Sequence, residues 1–360
     1  MTDSQDNVPA SASDMRDSAA EIAYWAPLEL EACRPIADAF DVVDAAALVH
    51  QRWHRRWTFA AAVFGGLAVL CAIWELGFGQ LYPAAEQPLF VIEAIALLAT
   101  AASLLTGWRQ GRKNEWLLNR HKAEMYRLAR FDFVIHPEVW LGERAAGADW
   151  VRARIAEIAA IRSRADLDRT IEQALLPEQE SDTPAIPVAM LLKLVEYYLS
   201  KRLNPQKEYL ANRAQKNAFW DGRAVRHVNA ILLFLSVLAA LTQLTINAPD
   251  VFTSPPPRVT VLNVVFATLG AASLPVVAAM IRTLRMAFEF SRNRSRFMAA
   301  HDALAQLEER LLHHLLWGRR PEASPEKSVV MLRDLQTCEF VLRSEHQEWL
   351  RLMLEAEWFG

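Results

Sequence analysis

Much that would identify a function is missing from this chain. Its three cysteines, Cys33, Cys71 and Cys338, lie far apart and form no C-x-x-C pair or even-numbered framework. A disulfide scaffold and a cysteine-based zinc site are therefore not expected, and the pattern fits a reducing compartment. There is no basic excess either: 39 Lys and Arg stand against 42 Asp and Glu, for a formal net charge of −3, so the chain as a whole has no nucleic-acid footprint. The first 20 residues, MTDSQDNVPASASDMRDSAA, are polar and acidic and read as a disordered tail rather than a signal peptide. No G-x-x-x-x-G-K-[ST], G-x-G-x-x-G, H-E-x-x-H or G-x-S-x-G occurs in the 360 residues, and no catalytic, cofactor or metal site is expected. His346-Gln347-Glu348 and the His313-His314 pair lack partners at ligand spacing and are read as surface helix residues.

What the chain does have is apolar length. Val228–Ala248 and Val259–Ile281 carry no charge over 21 and 23 residues, each enough to cross about 30 Å of hydrocarbon as a helix. A second pair lies upstream. Trp57–Trp74 is uncharged and extends past Glu75 toward Tyr82, and Pro88–Trp108 contains only Glu93. The connectors GQLYPAAEQ and PDVFTSPPPR read as turns. The expected fold is all-α, with four transmembrane helices in two hairpins (spans about 57–82, 88–108, 228–248 and 259–281).

Basic residues orient the hairpins. Arg52, Arg55 and Arg56 precede the first span and Arg109, Arg112 and Lys113 follow the second; Arg223 and Arg226 precede the third and Arg282 and Arg285 follow the fourth. The turns hold only Arg258. The positive-inside rule then places both termini and the centre in the cytoplasm of a multi-pass protein.

The flanking segments read as long amphipathic helices. Phe297, Ala300, Leu304, Leu307 and Leu311 repeat at 3-4-3-4 spacing, a coiled-coil seam that either packs within the chain or joins subunits. At the C-terminus, Phe340, Leu350, Met353, Leu354 and Trp358 form an apolar pattern expected to dock on the body of the protein. LPEQESDTPAIP, at 176–187, is an acidic linker. The expected organisation is a tail at 1–22, a first two-span module at 23–140, helices and linker at 141–187, a second module at 188–317 and a final helix at 318–360.

Several polar groups fall inside the spans: Glu75, Glu93, Gln243, Asn247, Asn263, Thr268 and Ser273. Desolvation makes such groups costly, so they face a bundle interior or a water path. Both readings stay open: helix–helix hydrogen bonds, or a polar or ion path. The two glutamates read as shallow, near the outer span ends. Small residues at four-residue spacing (Ala61/Gly65, Ala62/Gly66, Ala99/Ser103/Gly107, Ala267/Ala271) permit close helix approach. Pro275 is expected to bend span four and free a carbonyl. The repeats are parallel, with two spans each and no broken-helix pair, so transporter logic is absent.

The stretch YLSKRLNPQKEYLANRAQKN, Tyr198–Asn217, reads as two helical pieces jointed at Asn204-Pro205, with Asn204 capping the second and Pro205 at its first position. Its charge lies just ahead of span three, where anionic headgroups attract Lys and Arg. Tyr198, Arg202-Leu203, Gln206 and Tyr209, followed by a two-span hairpin and a basic helix, resemble the SMODS- and SLOG-associating two-transmembrane effector domains (SLATT) over about 188–317. The first hairpin resembles a second, divergent copy. The resemblance implies a membrane effector of a bacterial nucleotide-linked conflict system, antiphage defence included. It would form an oligomeric pore in the inner membrane or perturb that membrane, its partners being the lipid bilayer, further copies of itself and a nucleotide-sensing or nucleotidyltransferase protein, with no nucleic acid. The alternative is a non-conducting, membrane-anchored scaffold that recruits a cytoplasmic partner. Asn204, Pro205 and Pro275 are the candidate hinges.

Overall fold

A computed structural model describes residues 26–79, 81–109, 112–140, 144–173, 186–221, 223–251, 261–287, 290–318 and 325–355. The expected tail, most of the acidic linker, the second turn after Val251 and Trp358 lie outside the described residues, as do the side chains of Gln243, Asn247 and Asn263. Every regular element among the described residues is helical, and four helices are long and apolar enough to cross a membrane. The chain is an all-α, multi-pass membrane protein.

The helices are α1 (Ala26–Phe78), α2 (Pro83–Arg109), α3 (Arg112–Ile135), α4 (Pro137–Trp140), α5 (Arg144–Ala160), α6 (Arg164–Gln173), α7 (Val188–Tyr198), α8 (Asn204–Asp221), α9 (Arg223–Val251), α10 (Val261–Val265), α11 (Leu274–Ala287), α12 (Phe290–Gly318) and α13 (Pro325–Glu355). Two π segments, Leu199–Leu203 and Phe266–Ser273, join α7 to α8 and α10 to α11. Two compact units result. The span unit holds Arg52–Arg112 and Gln215–Arg294, hence both hairpins. The helical unit holds α1 up to Gln51, Lys113–Ala214 and Ser295–Glu357.

Asn204 does not cap a new helix, as the sequence had led us to expect. Its backbone is helical, at φ −63° and ψ −48°, and the chain runs through the π segment without a break. The cause is local. Pro205 has no N–H for the carbonyl of Lys201 and its ring crowds that carbonyl, and a π turn widens the helix enough to accept it. The same arrangement recurs in span four, where the π segment Phe266–Ser273 ends two residues before Pro275. There the carbonyl of Ala271, deprived of its i+4 donor, accepts a hydrogen bond from Ser236 Oγ of α9 at 3.0 Å.

Small residues set the packing of the span unit. Gly66 of α1 meets Met280 of α11, Gly77 meets Thr268, and Gly270 meets Ala239 of α9, while a Cβ added at Gly65 would lie 3.6 Å from Thr100 Cγ2 of α2. Trp74 Nε1 donates to Ser273 Oγ at 2.9 Å, and Ser273 Oγ donates to the Thr268 carbonyl. Three of the small-residue positions, Gly65, Gly66 and Ala271, are thus contacts between helices of one chain, and one of the candidate polar groups, Ser273, is joined in helix–helix hydrogen bonding through Trp74. A Cβ at 77 would fall on the stiff, β-branched Thr268, whereas one at 65 meets Thr100 at ordinary contact distance. Gly77→Ala should therefore cost about 1–3 kcal/mol through overpacking, while Gly65→Ala should be neutral or gain up to about 1 kcal/mol of helix propensity. Thermal unfolding of the two variants in detergent checks the contrast.

In the helical unit, Leu117, Phe131, Phe133, Ile158, Leu191, Leu194, Leu203, Leu304, Leu311, Leu335 and Leu350 are fully or nearly fully buried. Burying each such side chain stabilises by about 1.5–3 kcal/mol. The 3-4-3-4 seam of α12 belongs to this core: Ala300, Leu304, Leu307 and Leu311 are buried and Phe297 packs against them. It therefore packs within the chain. The last helix docks as expected, with Leu350 and Leu354 buried and Met353 packed beside them, and only Phe340 departs from the expected face. Met331, Leu335, Cys338, Leu342, His346 and Leu350 point inward, and Phe340 is 61% exposed.

Candidate functional site

The motif residues of the stretch before span three converge on one carboxylate from the far end of the chain. Arg202, in the first π segment, is the largest fully buried side chain among the described residues. Its Nε and Nη2 each reach Glu339 of α13 at 2.9 Å, one to each carboxylate oxygen. This fork-to-fork pairing is the strong form of an ion pair. Tyr198 donates its hydroxyl to Glu339 Oε1 at 2.6 Å, and burial, followed by the nearby Glu339 charge, pushes its phenol well above its usual range. Phe131 of α3 closes the site: Arg202 lies over its ring at 4.6 Å and Tyr198 meets it edge-on at 6.1 Å. Gln206 is buried and Tyr209 packs against the same core, with Arg213 over the Tyr209 ring at 5.1 Å.

The cationic stretch is therefore not a free basic face awaiting headgroups. Arg202 is buried, Lys207 pairs with Glu308 of α12, and Arg213 covers an aromatic ring.

Further buried charge surrounds this triad. Glu124 of α3 accepts from Arg127 at 2.9 Å and from Arg120, which also reaches Asp44 of α1 at 3.3 Å. Burial would raise the Glu124 carboxyl, but Arg120 and Arg127 outweigh it and hold it well below the usual range. Asp132 pairs with Arg343 at 2.9 Å and Glu345 with Arg296 at 2.9 Å. In both carboxyls burial is the larger influence and their affinity for protons is raised. Asp334 of α13 takes Arg310 at 3.2 Å and His314 at 3.0 Å.

His346 is not a surface residue. Only 5% exposed, its Nε2 lies 3.0 Å from Nδ1 of buried His121, and the rings stack with centroids 5.3 Å apart. Trp349 stacks on His346 and meets Trp116 edge-on. A nitrogen pair at this distance needs one N–H facing one lone pair, so the two rings together carry at most one positive charge. Burial lowers His121 to about 4 and His346 to about 3. Among the described residues no three His, Cys, Asp or Glu side chains could hold a metal ion.

Sequence reasoning found Tyr198 and Arg202 but missed Glu339 and the histidine pair. In the span unit, Glu75 and Glu93 are half-buried with their carboxyls facing each other. Neither a family model nor a curated protein nor a solved structure matches the chain. The likeness to SLATT domains rests on Tyr198, Arg202, Gln206 and Tyr209 and on the hairpin order.

Proposed function

We propose that the chain is a membrane effector of a bacterial nucleotide-linked conflict system, resident in the inner membrane with both termini cytoplasmic. Several copies act together to breach or perturb that membrane when a nucleotide-sensing or nucleotide-making partner engages the helical unit. The observation that carries this reading is the Arg202–Glu339–Tyr198 triad. It ties the segment leading into span three to the last helix of the chain, so an event on the cytoplasmic helices has a covalent and ionic route to the spans. Span ends rich in arginine and the turns nearly free of it support the orientation.

Induced expression with the trigger should collapse the membrane potential within minutes, read by a voltage-sensitive dye, and Glu339→Gln should change the threshold for collapse. Unchanged potential and dye permeability under triggered expression would remove the reading. The second reading, a non-conducting scaffold, is favoured by one specific observation: the hydroxyls of Ser236 and Ser273 are both engaged in hydrogen bonds within the chain. In that case the potential holds while a cytoplasmic partner co-purifies with the helical unit.

A further inference from the structure

The two hairpins of the span unit are not level with each other. Three contacts fix the register of α1 against span four: Gly66 with Met280, Trp74 with Ser273, and Gly77 with Thr268. Two fix α9 against span four: Ser236 with Ala271 and Ala239 with Gly270. In each case the residue numbers rise on one helix as they fall on the other, so both pairs are antiparallel. Continued along α9, that register sets Val228 level with Met280, and so with Gly66. The uncharged run of span one begins at Trp57 and that of span three at Val228. The second hairpin is therefore displaced toward the turn end by about nine residues, roughly 13 Å at 1.5 Å per residue.

The displacement puts charge in each hairpin at the depth of the other's apolar run. Exposed Arg226 and His227 of α9 come level with Phe64 and Gly65, inside span one. Glu75, facing Glu93, comes level with Val237, near the middle of span three. Sequence alone had placed both glutamates near the outer edge. From the level of Arg226 to that of Glu75 is about eleven residues, roughly 16 Å, against about 30 Å for ordinary hydrocarbon. Exposed apolar side chains mark the same step: Phe59 and Leu105 reach beyond the second hairpin's run at the basic end, and Val261 beyond the first hairpin's run at the turn end, while Leu244 lies well past the level of Glu75. Rotating the whole unit could level two belts on helices 8–10 Å apart only with a tilt of about 50°, outside the 0–40° that spans show.

We infer that the span unit thins the bilayer to roughly half its hydrocarbon depth along the line where α1 meets span four. The partner surface is the phospholipid headgroup layer, drawn in from both sides toward Arg226 and toward Glu75 and Glu93. This requires only that the four helices span a membrane, and it holds whether the chain conducts or serves as a scaffold.

Nitroxide depth measurements test it. Single cysteines replace Phe59, Leu76, Val228 and Leu244 in turn in the full chain, whose native cysteines are buried, and the labelled protein is placed in phosphatidylcholine vesicles. Depth is read from the ratio of oxygen to nickel-chelate relaxation, and helix tilt from polarised infrared spectra of oriented bilayers. Thinning predicts that Phe59 and Val228 lie within about 3 Å of the same depth, and Leu76 likewise with Leu244, at a tilt below about 25°. Val228 lying about 10 Å deeper than Phe59 would mean a flat bilayer and would overturn the inference. Matched depths at a tilt of about 50° would mean rotation without thinning and would overturn it equally.

Discussion

Arg202→Ala should destabilise the helical unit by about 3–5 kcal/mol, because it strands the Glu339 carboxylate in a site with almost no solvent access. For a unit of this size that corresponds to a fall in Tm of roughly 10 °C or more. Glu339→Ala should do comparable damage from the other side, leaving a buried guanidinium over Phe131. Tyr198→Phe removes one hydrogen bond to a charged group and should cost less, about 1.5–3 kcal/mol. The pair Arg202→Met with Glu339→Leu should recover most of the loss, since a well-packed apolar pair avoids the desolvation that the ions suffer. Thermal unfolding of the four variants in detergent decides the matter. A double variant as unstable as Arg202→Ala would mean that the triad contributes by shape rather than by charge.

The histidine pair gives the second large effect, in acid. His121 and His346 are held neutral, with folded-state values of about 4 and about 3 against an unfolded value near 6.5. Between these limits the unfolded chain binds more protons than the folded one, so stability rises with pH. It is fully present above about 6.5 and is lost as pH falls toward 4, by up to about 1.4 kcal/mol per pH unit for each ring. Glu124, held low by Arg120 and Arg127, adds to the loss below the usual carboxylate range, while the raised Asp132 and Glu345 act in the opposite sense. The Tm of the native chain should fall steeply from pH 6.5 to 4.5, and His346→Gln should flatten the slope. Equal slopes in the two proteins would show that the pair is not the acid-labile element.

What could be read in advance was what is local. The spans follow from uncharged runs, and the carbonyl freed by Pro275 follows from four residues of helix geometry; the structure supplies only Ser236 as its donor. The partner of Arg202 was beyond reach because Glu339 lies 137 residues away in a helix whose stripe looks set by Phe340. Leu350, Met353 and Leu354 lie on the docked face as their spacing implied, but Phe340 does not, and one turn away the helix turns Cys338, Glu339, Leu342 and His346 inward. His346 looked solitary for the same reason, its neighbour His121 being 225 residues distant. The inferred stagger, which sets Glu75 level with the middle of span three, could not be read in advance, because each hairpin is measured in sequence against its own apolar run and a stagger between hairpins exists only once they pack.

The two π segments bear on how this sequence tolerates insertions and deletions. Each carries about one residue more than an α-helix spanning the same path, and each is followed two residues later by a proline. Removing one residue from Leu199–Leu203 or Phe266–Ser273 restores an α-helix along the same path, so the faces that follow keep their register, but it returns the proline ring to a clash with the carbonyl four residues earlier. Lengths at these two places are therefore tied to Pro205 and Pro275, and the chain can shorten there only if the proline goes with the lost residue.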